Sequence, residues 1–426
     1  MAFNWEGTMI IAEDVAVTEC TECRICGNPR LLSVLDLGNQ ALTGIFPRTG
    51  QVVPTAPLEL VRCGPGGCGL LQLRHTADLS LMYGVHYGYR SSIRPFMIKH
   101  LHRKVDVLTD MVDLDSTDLV LDIGSNDATL LRGYPANGLT RVGIDPTGEK
   151  WREYYRDDID LISDFFSKTS FAERYGDRKA KIVTSIAMFY DLPDPLGFMA
   201  DVRDILTDDG VWMIEMSYAA SLLEIPAYDA ICHEHLEYYM LSQIEWMADR
   251  VGLTVSTAEI TDVNGGSLCV TLVKDPAKHK IDTAQIDRIR QREADLELDT
   301  MATYEAFARR VRDHRDGLRA FLDDSRAAGK LTLGYGASTK GNVILQYCGL
   351  GVEDLPCVGE VSSEKHGCIT PGTGIPIVSE EDAKARRPDQ LLVLPWVHRG
   401  GFIEREQEFL AGGGKLVFPL PSISTV

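Results

Sequence analysis

The chain has 426 residues, 44% of them hydrophobic and 25% charged, which is enough for two or three domains with sizeable cores. Its 62 acidic against 43 basic residues give a formal charge of -19. That balance argues against a general binder of nucleic acid or anionic membrane, while leaving room for a small anion in a local positive site.

No apolar run approaches the ~20 residues of a bilayer span. The N-terminal stretch carries Glu6, Glu13 and Asp14 ahead of any Lys or Arg, so neither a signal peptide nor a membrane partner is expected. The expectation is a cytoplasmic protein whose ten cysteines are reduced, buried or metal-bound.

Five of those cysteines fall between positions 20 and 68, in a Gly- and Pro-rich stretch without helical period. The texture predicts a small loop-rich module held by something other than a large core. Cys23 and Cys26 form one thiolate pair, Cys63 and Cys68 another. Four soft ligands on tight turns suit tetrahedral zinc, with Cys20 able to replace one of them. Four thiolates leave no open coordination position, so the zinc is expected to be structural.

From about position 118 the texture becomes α/β. Leu119–Ile123, Arg141–Asp145, Lys181–Ile186 and Val211–Glu215 read as buried strands separated by helix-forming stretches, the pattern of a parallel sheet. Gly124, Ser125, Asn126 and Asp127 end the first strand and lead to an expected helix start at Ala128–Leu131. A Gly at a strand end lets a ligand approach the backbone, and helix N-terminal amides bind polar groups. The dinucleotide pattern G-x-G-x-x-G is absent. Asp145, at the next strand end, is placed for the two hydroxyls of a ribose, and Asp164 with Phe165 could flank an adenine. This order fits S-adenosylmethionine (SAM) better than a dinucleotide.

Tyr190 follows the third of these runs at the sheet edge where open α/β folds bind ligands, and a phenol there could donate to a ketone oxygen. After the fourth run comes Tyr228 to Tyr239, with His233, Glu234 and His235 at its centre. The i, i+2 spacing of the histidines does not match a zinc helix. It suits acid–base work, in which a histidine oriented by a carboxylate removes a proton from carbon beside a carbonyl. Asn264-Gly265-Gly266-Ser267 is either a hairpin or a ligand-facing loop.

Residues 281–329 have apolar residues at helical spacing and predict one or two connector helices. Then Leu331–Tyr335 reads as a strand opening on a second Gly turn that runs to Asn342. Lys340 there suits a phosphate or diphosphate. A nicotinamide site is a weaker reading of the same turn. Gln390–Leu394 and Lys415–Phe418 are the last strands expected.

Taken in order, Cys23–Gly27, Cys68–Leu73, Asp122–Asp127, His233–His235, Gly265–Ser267, Tyr335–Ala337 and Pro371–Thr373 resemble the three-domain C-methyltransferases of nucleotide-linked 4-keto-deoxysugars in antibiotic and surface-glycan pathways. The resemblance implies a zinc-binding module over 1–80, a Rossmann-like SAM domain over 81–275, a helical connector over 276–330 and a Rossmann-like domain over 331–426 that holds the sugar nucleotide. It implies C3 methylation beside a C4 ketone, with His235 as base and Glu234 beside it. Tyr87, Tyr89 and Ser91 resemble the family's substrate-facing segment, and Asn264, Tyr335, Lys340 and Asn342 complete the expected substrate contacts. A dTDP-linked sugar and a monomer are the corresponding expectations. Three positions depart from the family pattern. Tyr190 stands where His is usual, Cys232 where Tyr is frequent, and Asn264 where His precedes G-G-S. An epimerase or keto-reductase using the same enolate is the alternative function, and a non-enzymatic zinc-ribbon protein that binds partners is a third.

Overall fold

The computed structural model describes residues 16–78, 82, 89–136 and 138–426. Tyr87 lies outside them.

The cysteine-rich region carries more strand than the loop-rich module expected. Its strands are β1 (Val17–Glu19), β2 (Leu31–Ala41), β3 (Thr55–Cys63), β4 (Leu71–Leu73) and β5 (His75–Ala77). β1 pairs with β5, while β2, β3 and β4 form an antiparallel sheet. The cause is a period of two: Leu35 and Leu37 on β2, and Leu58 and Leu60 on β3, turn inward at alternate positions.

The central sheet is built on β6 (Leu119–Ile123), β7 (Thr140–Ile144), β8 (Ile159–Ile162), β9 (Ala180–Ile186) and β10 (Leu206–Ser217), which run parallel. Every residue of β6 is buried, as a strand covered on both faces requires. β11 (Glu237–Tyr238) leaves this sheet and pairs with β4, so the stretch after the histidines is stitched to the cysteine-rich module. β12 (Thr254–Thr261) and β13 (Ser267–Val273) close the edge as an antiparallel hairpin. The seven-stranded order is β12-β13-β10-β9-β6-β7-β8, and the order in which successive strands are added reverses between β6 and β9, which stay parallel. Helix α1 (Pro95–Met111) covers one face, burying Leu101, Val105 and Leu108 at i, i+4 and i+7 against Val120, Ile182 and Met213.

Two helices, α2 (Thr283–Asp295) and α3 (Met301–Ala327), lead to the last sheet. There β14 (Thr332–Tyr335), β15 (Val358–Glu360), β16 (Ile377–Ser379), β17 (Gln390–Val393), β18 (Lys415–Phe418) and β19 (Ser424–Thr425) stand in the order β16-β15-β14-β17-β18-β19. All but β19 are parallel, giving the 3-2-1-4-5-6 order of the doubly wound folds. Helix α4 (Thr339–Tyr347) starts at its switch point. Gln346 on α4 exchanges hydrogen bonds with the backbone of Ala41 at the end of β2, so the first and last sheets also touch. Among the described residues, no helix is long and apolar enough to cross a membrane.

Candidate active site

A cavity of about 990 Å³ opens at the carboxyl edge of the central sheet, where β6 and β9 part. That is the switch point at which open α/β sheets hold ligands, and the volume is at the upper end for ligand pockets. Of the residues expected there, Gly124, Ser125, Asn126, Asp145, Phe165, Tyr190, His235, Asn264, Lys340, Tyr89 and Ser91 line it.

The turn after β6 differs from the strand–helix junction expected. Gly124, Asn126 and Ala128 all have positive φ, and only a short 3-10 turn at Leu131–Gly133 follows. No α-helix N-terminus forms there, so its amides cannot be the ligand's anchor. The turn is instead shaped by its acids. Asp145 accepts from the Asn126 amide at 2.8 Å and from the Thr147 amide and hydroxyl at 2.6 Å each. Asn126 and Asp127 accept from the amides of Ser91 and Ser92, at 3.0 and 3.1 Å. They clamp the Tyr89–Ser92 segment over the cavity; Asp127 itself is fully buried and outside the lining. A Cβ on Gly124 would meet Met188 at 3.0 Å, so the glycine keeps this cradle open. Phe165 presents its ring, but Asp164 is exposed and caps the Phe165 amide, away from the lining.

Sequence reasoning missed Asp122, Ser217 and Glu215, which also line the cavity. The first sits inside an apolar strand run, where an inward carboxylate gives no periodic signal. Burial pushes the Asp122 carboxyl up to about 7.

The histidine stretch is a turn, with the His235 amide donating to the Cys232 carbonyl. The turn sends the two imidazoles apart. His235 faces the cavity and packs edge-on to Tyr190, ring centroids 4.4 Å apart. Its Nδ1 lies 3.0 Å from the Ala230 carbonyl, which can only accept, so Nδ1 carries the proton and Nε2 keeps its lone pair. Burial, and then the positive charge of Lys340, push its pKa down to about 3, so the ring is neutral near pH 7.

His233 turns the other way and donates from Nε2 to the Ala56 carbonyl of β3, at 3.1 Å. Glu234 is buried against Thr43 and the Gly44 backbone, where a Cβ on Gly44 would lie 2.5 Å from its carboxylate. Neither reaches the cavity lining. The expectation of a His–Glu–His catalytic row therefore reduces, by placement, to His235.

The third Gly turn is both things the sequence left open. It joins β12 to β13, and Asn264 and Ser267 also face the cavity. Of the residues expected from the second Gly turn, Lys340 alone arrives. Tyr335 turns its hydroxyl to Glu406 at 2.6 Å, and Asn342 is fully buried, donating to the Thr43 carbonyl at 2.7 Å. A Cβ on Gly336 would lie 2.6 Å from Pro395, so that glycine serves packing between β14 and β17. The nicotinamide reading loses its glycine argument.

The four sulfurs of Cys23, Cys26, Cys63 and Cys68 lie within 4.8 Å of one another, with Cys23–Cys68 at 3.4 Å and Cys26–Cys63 at 3.5 Å. Tetrahedral zinc with ~2.3 Å bonds needs sulfurs roughly 3.8 Å apart, so the set fits. Cys20 points to the Glu22 carbonyl and is not one of the four.

Three family descriptions match consecutive segments: a zinc-binding domain over 23–83, a methyltransferase domain over 94–258 and a C-methyltransferase C-terminal domain over 262–421. The C-methyltransferase NovU of Streptomyces niveus is 31% identical over 408 residues, spanning 94% of this chain and 95% of its own. Among solved structures, the glycopeptide N-methyltransferase MtfA complexed with SAM aligns at TM-score 0.32 and 14% identity over 41% of this chain and 94% of its own. The plantazolicin methyltransferase BpumL with SAH aligns at TM-score 0.33 and 10% identity over 41% of this chain and 82% of its own.

Proposed function

The chain belongs to the three-domain, zinc-carrying, SAM-dependent C-methyltransferases, and we propose that it methylates a carbon alpha to the ketone of a nucleotide-linked 4-keto-deoxysugar. The observation that supports this most is the neutral imidazole of His235, its Nδ1 proton committed to a carbonyl and its ring in the cavity. Such a group keeps the lone pair that general-base catalysis at carbon needs, and negative charge developing on the substrate beside it raises its basicity as the proton moves.

In this reading Gly124, Ser125, Asp145 and Phe165 hold SAM, with Asn126 and Asp127 shaping the turn. When bound, SAM supplies a methyl group on a cationic sulfur that leaves as a neutral thioether. His235 removes the proton, Tyr190 keeps the imidazole in its orientation, and the buried walls exclude water from the nascent enolate. Tyr89, Ser91 and Asn264 then face the sugar. Both C3 and C5 flank a C4 ketone, and product NMR distinguishes them. We assign the zinc module to 1–80, the SAM domain to 81–275, the connector to 276–330 and the sugar-nucleotide domain to 331–426. A dTDP-linked substrate, a cytoplasmic location and a monomer complete the reading.

The test uses dTDP-4-keto-6-deoxyglucose as probe, with SAM, and reads methylated product by mass spectrometry. His235→Ala and His235→Asn are expected to lose about 100- to 10,000-fold in turnover. Their affinity for SAM, measured by calorimetry, should stay as in the wild type. Undiminished turnover removes His235 as base. Solvent deuterium entering the sugar of the wild type without added methyl mass favours an epimerase instead.

A further inference from the structure

Lys340 is the sole Lys or Arg among the described residues lining the cavity, whose walls include Asp122, Asp145, Asp191 and Glu215. It comes from the first turn of α4, whose start is fixed by Ser338 accepting from the Gly341 amide at 3.0 Å. The base and the methyl-donor turn belong to the central sheet, so the last sheet contributes one charged group to the chemistry. Among the described residues its ammonium has no hydrogen bond or ion pair, yet its charge bears on His235, Asp229, Cys232 and His398.

A cation beside an imidazole weakens it as a base. The placement opposes proton removal unless the same charge stabilises the atom that receives the electrons. In a cavity whose other titratable walls are acids and a neutral imidazole, an enolate oxygen has strong need of a positive group, and preorganised charge at such an oxygen is a large catalytic term.

We propose that Lys340 is a catalytic residue whose ammonium holds the substrate's ketone oxygen as that oxygen gains enolate charge. This rests on the ketone reading given above. The alpha C–H bond breaks, its proton goes to Nε2 of His235 and its electron pair forms the C=C bond. The carbonyl π pair moves onto the oxygen that Lys340 faces. As the carbon takes the methyl, the C=O bond re-forms, the departing sulfur keeps the S–CH3 pair, and His235 releases its proton to solvent.

The experiment follows exchange of the alpha proton of dTDP-4-keto-6-deoxyglucose in D2O by NMR, with S-adenosylhomocysteine in place of SAM, beside ordinary methyl-transfer kinetics. Lys340→Met and Lys340→Gln should lower exchange and kcat together, by about 100- to 1,000-fold, the loss typical of one oxyanion donor. KM should move less than about threefold, and SAM affinity and Tm should hold. Lys340→Arg should recover about tenfold of the loss in both. A rise in KM with kcat retained would make Lys340 a phosphate grip and overturn the proposal alone. So would wild-type exchange in Lys340→Gln. A wild-type enzyme that neither exchanges nor methylates this ketone, or any other nucleotide-linked ketosugar, overturns the substrate reading and the proposal with it.

Discussion

His233 shows how far an imidazole's role depends on where its ring is sent. Two residues from the cavity-facing His235, it is buried under β3, with Nδ1 lacking any partner among the described residues. Burial lowers its pKa from 6.5 to about 4. Between those values the unfolded chain binds a proton that the folded chain refuses. The contribution is therefore fully present above pH 6.5 and is lost as pH falls toward 4, worth on the order of 3 kcal/mol. His235, lowered to about 3, adds to the same acid lability. Urea unfolding from pH 7 to 5.5 should show stability falling with pH, and His233→Gln should flatten that slope. An unchanged slope would mean His233 titrates normally in the fold.

At the scale of elements, the short pairing of β4 with β11 joins the cysteine-rich sheet to the stretch that carries His235. It rests on a buried charge pair. Arg24 lies 3.4 Å from Glu237, and their side chains are 4% and 0% exposed. Arg24 also donates to the Leu73 carbonyl and the Thr76 hydroxyl. Among the described residues no hydrogen-bond donor reaches either Glu237 oxygen, so burial pushes that carboxyl well above the usual range and the guanidinium is the group that opposes the push. Arg24→Met should cost up to about 3–5 kcal/mol, lessened by the proton that the buried Glu237 carboxyl takes up once the guanidinium is gone. Adding Glu237→Leu should restore part of it, and a double-mutant cycle of thermal unfolding measures the coupling. Additive losses would remove the pair as the clasp.

At the scale of the whole molecule, the cavity is completed by elements that the zinc site holds in place. The Cys68 carbonyl accepts from Gln243 at 2.9 Å, and β4, three residues on, carries β11. Removing zinc, by chelation or by Cys63→Ser, should lower Tm and reduce turnover although no metal ligand lines the cavity. SAM affinity should fall less, because its proposed cradle stands on β6, β7 and β8. Metal analysis alongside calorimetry checks this; full turnover in metal-free protein would separate the zinc from the site.

Much of this was legible in the residues. Paired thiolates announce their own ligand chemistry through spacing. The parallel strands announce themselves through unbroken apolar runs, because burial on both faces leaves no alternation. Gly124 and Asp145 could be placed because strand ends in open sheets converge on one edge. Tertiary structure alone decided which neighbours of those residues reach the cavity. The Cys232–His235 turn separates His235 from His233, positive φ at Asn126 and Ala128 cancels the expected helix, and Pro395 claims the glycine of the second turn. Local sequence sets the composition of a loop, but the direction of each side chain depends on which distant segment packs against it, as β3 does for His233 and the Thr43 backbone for Asn342.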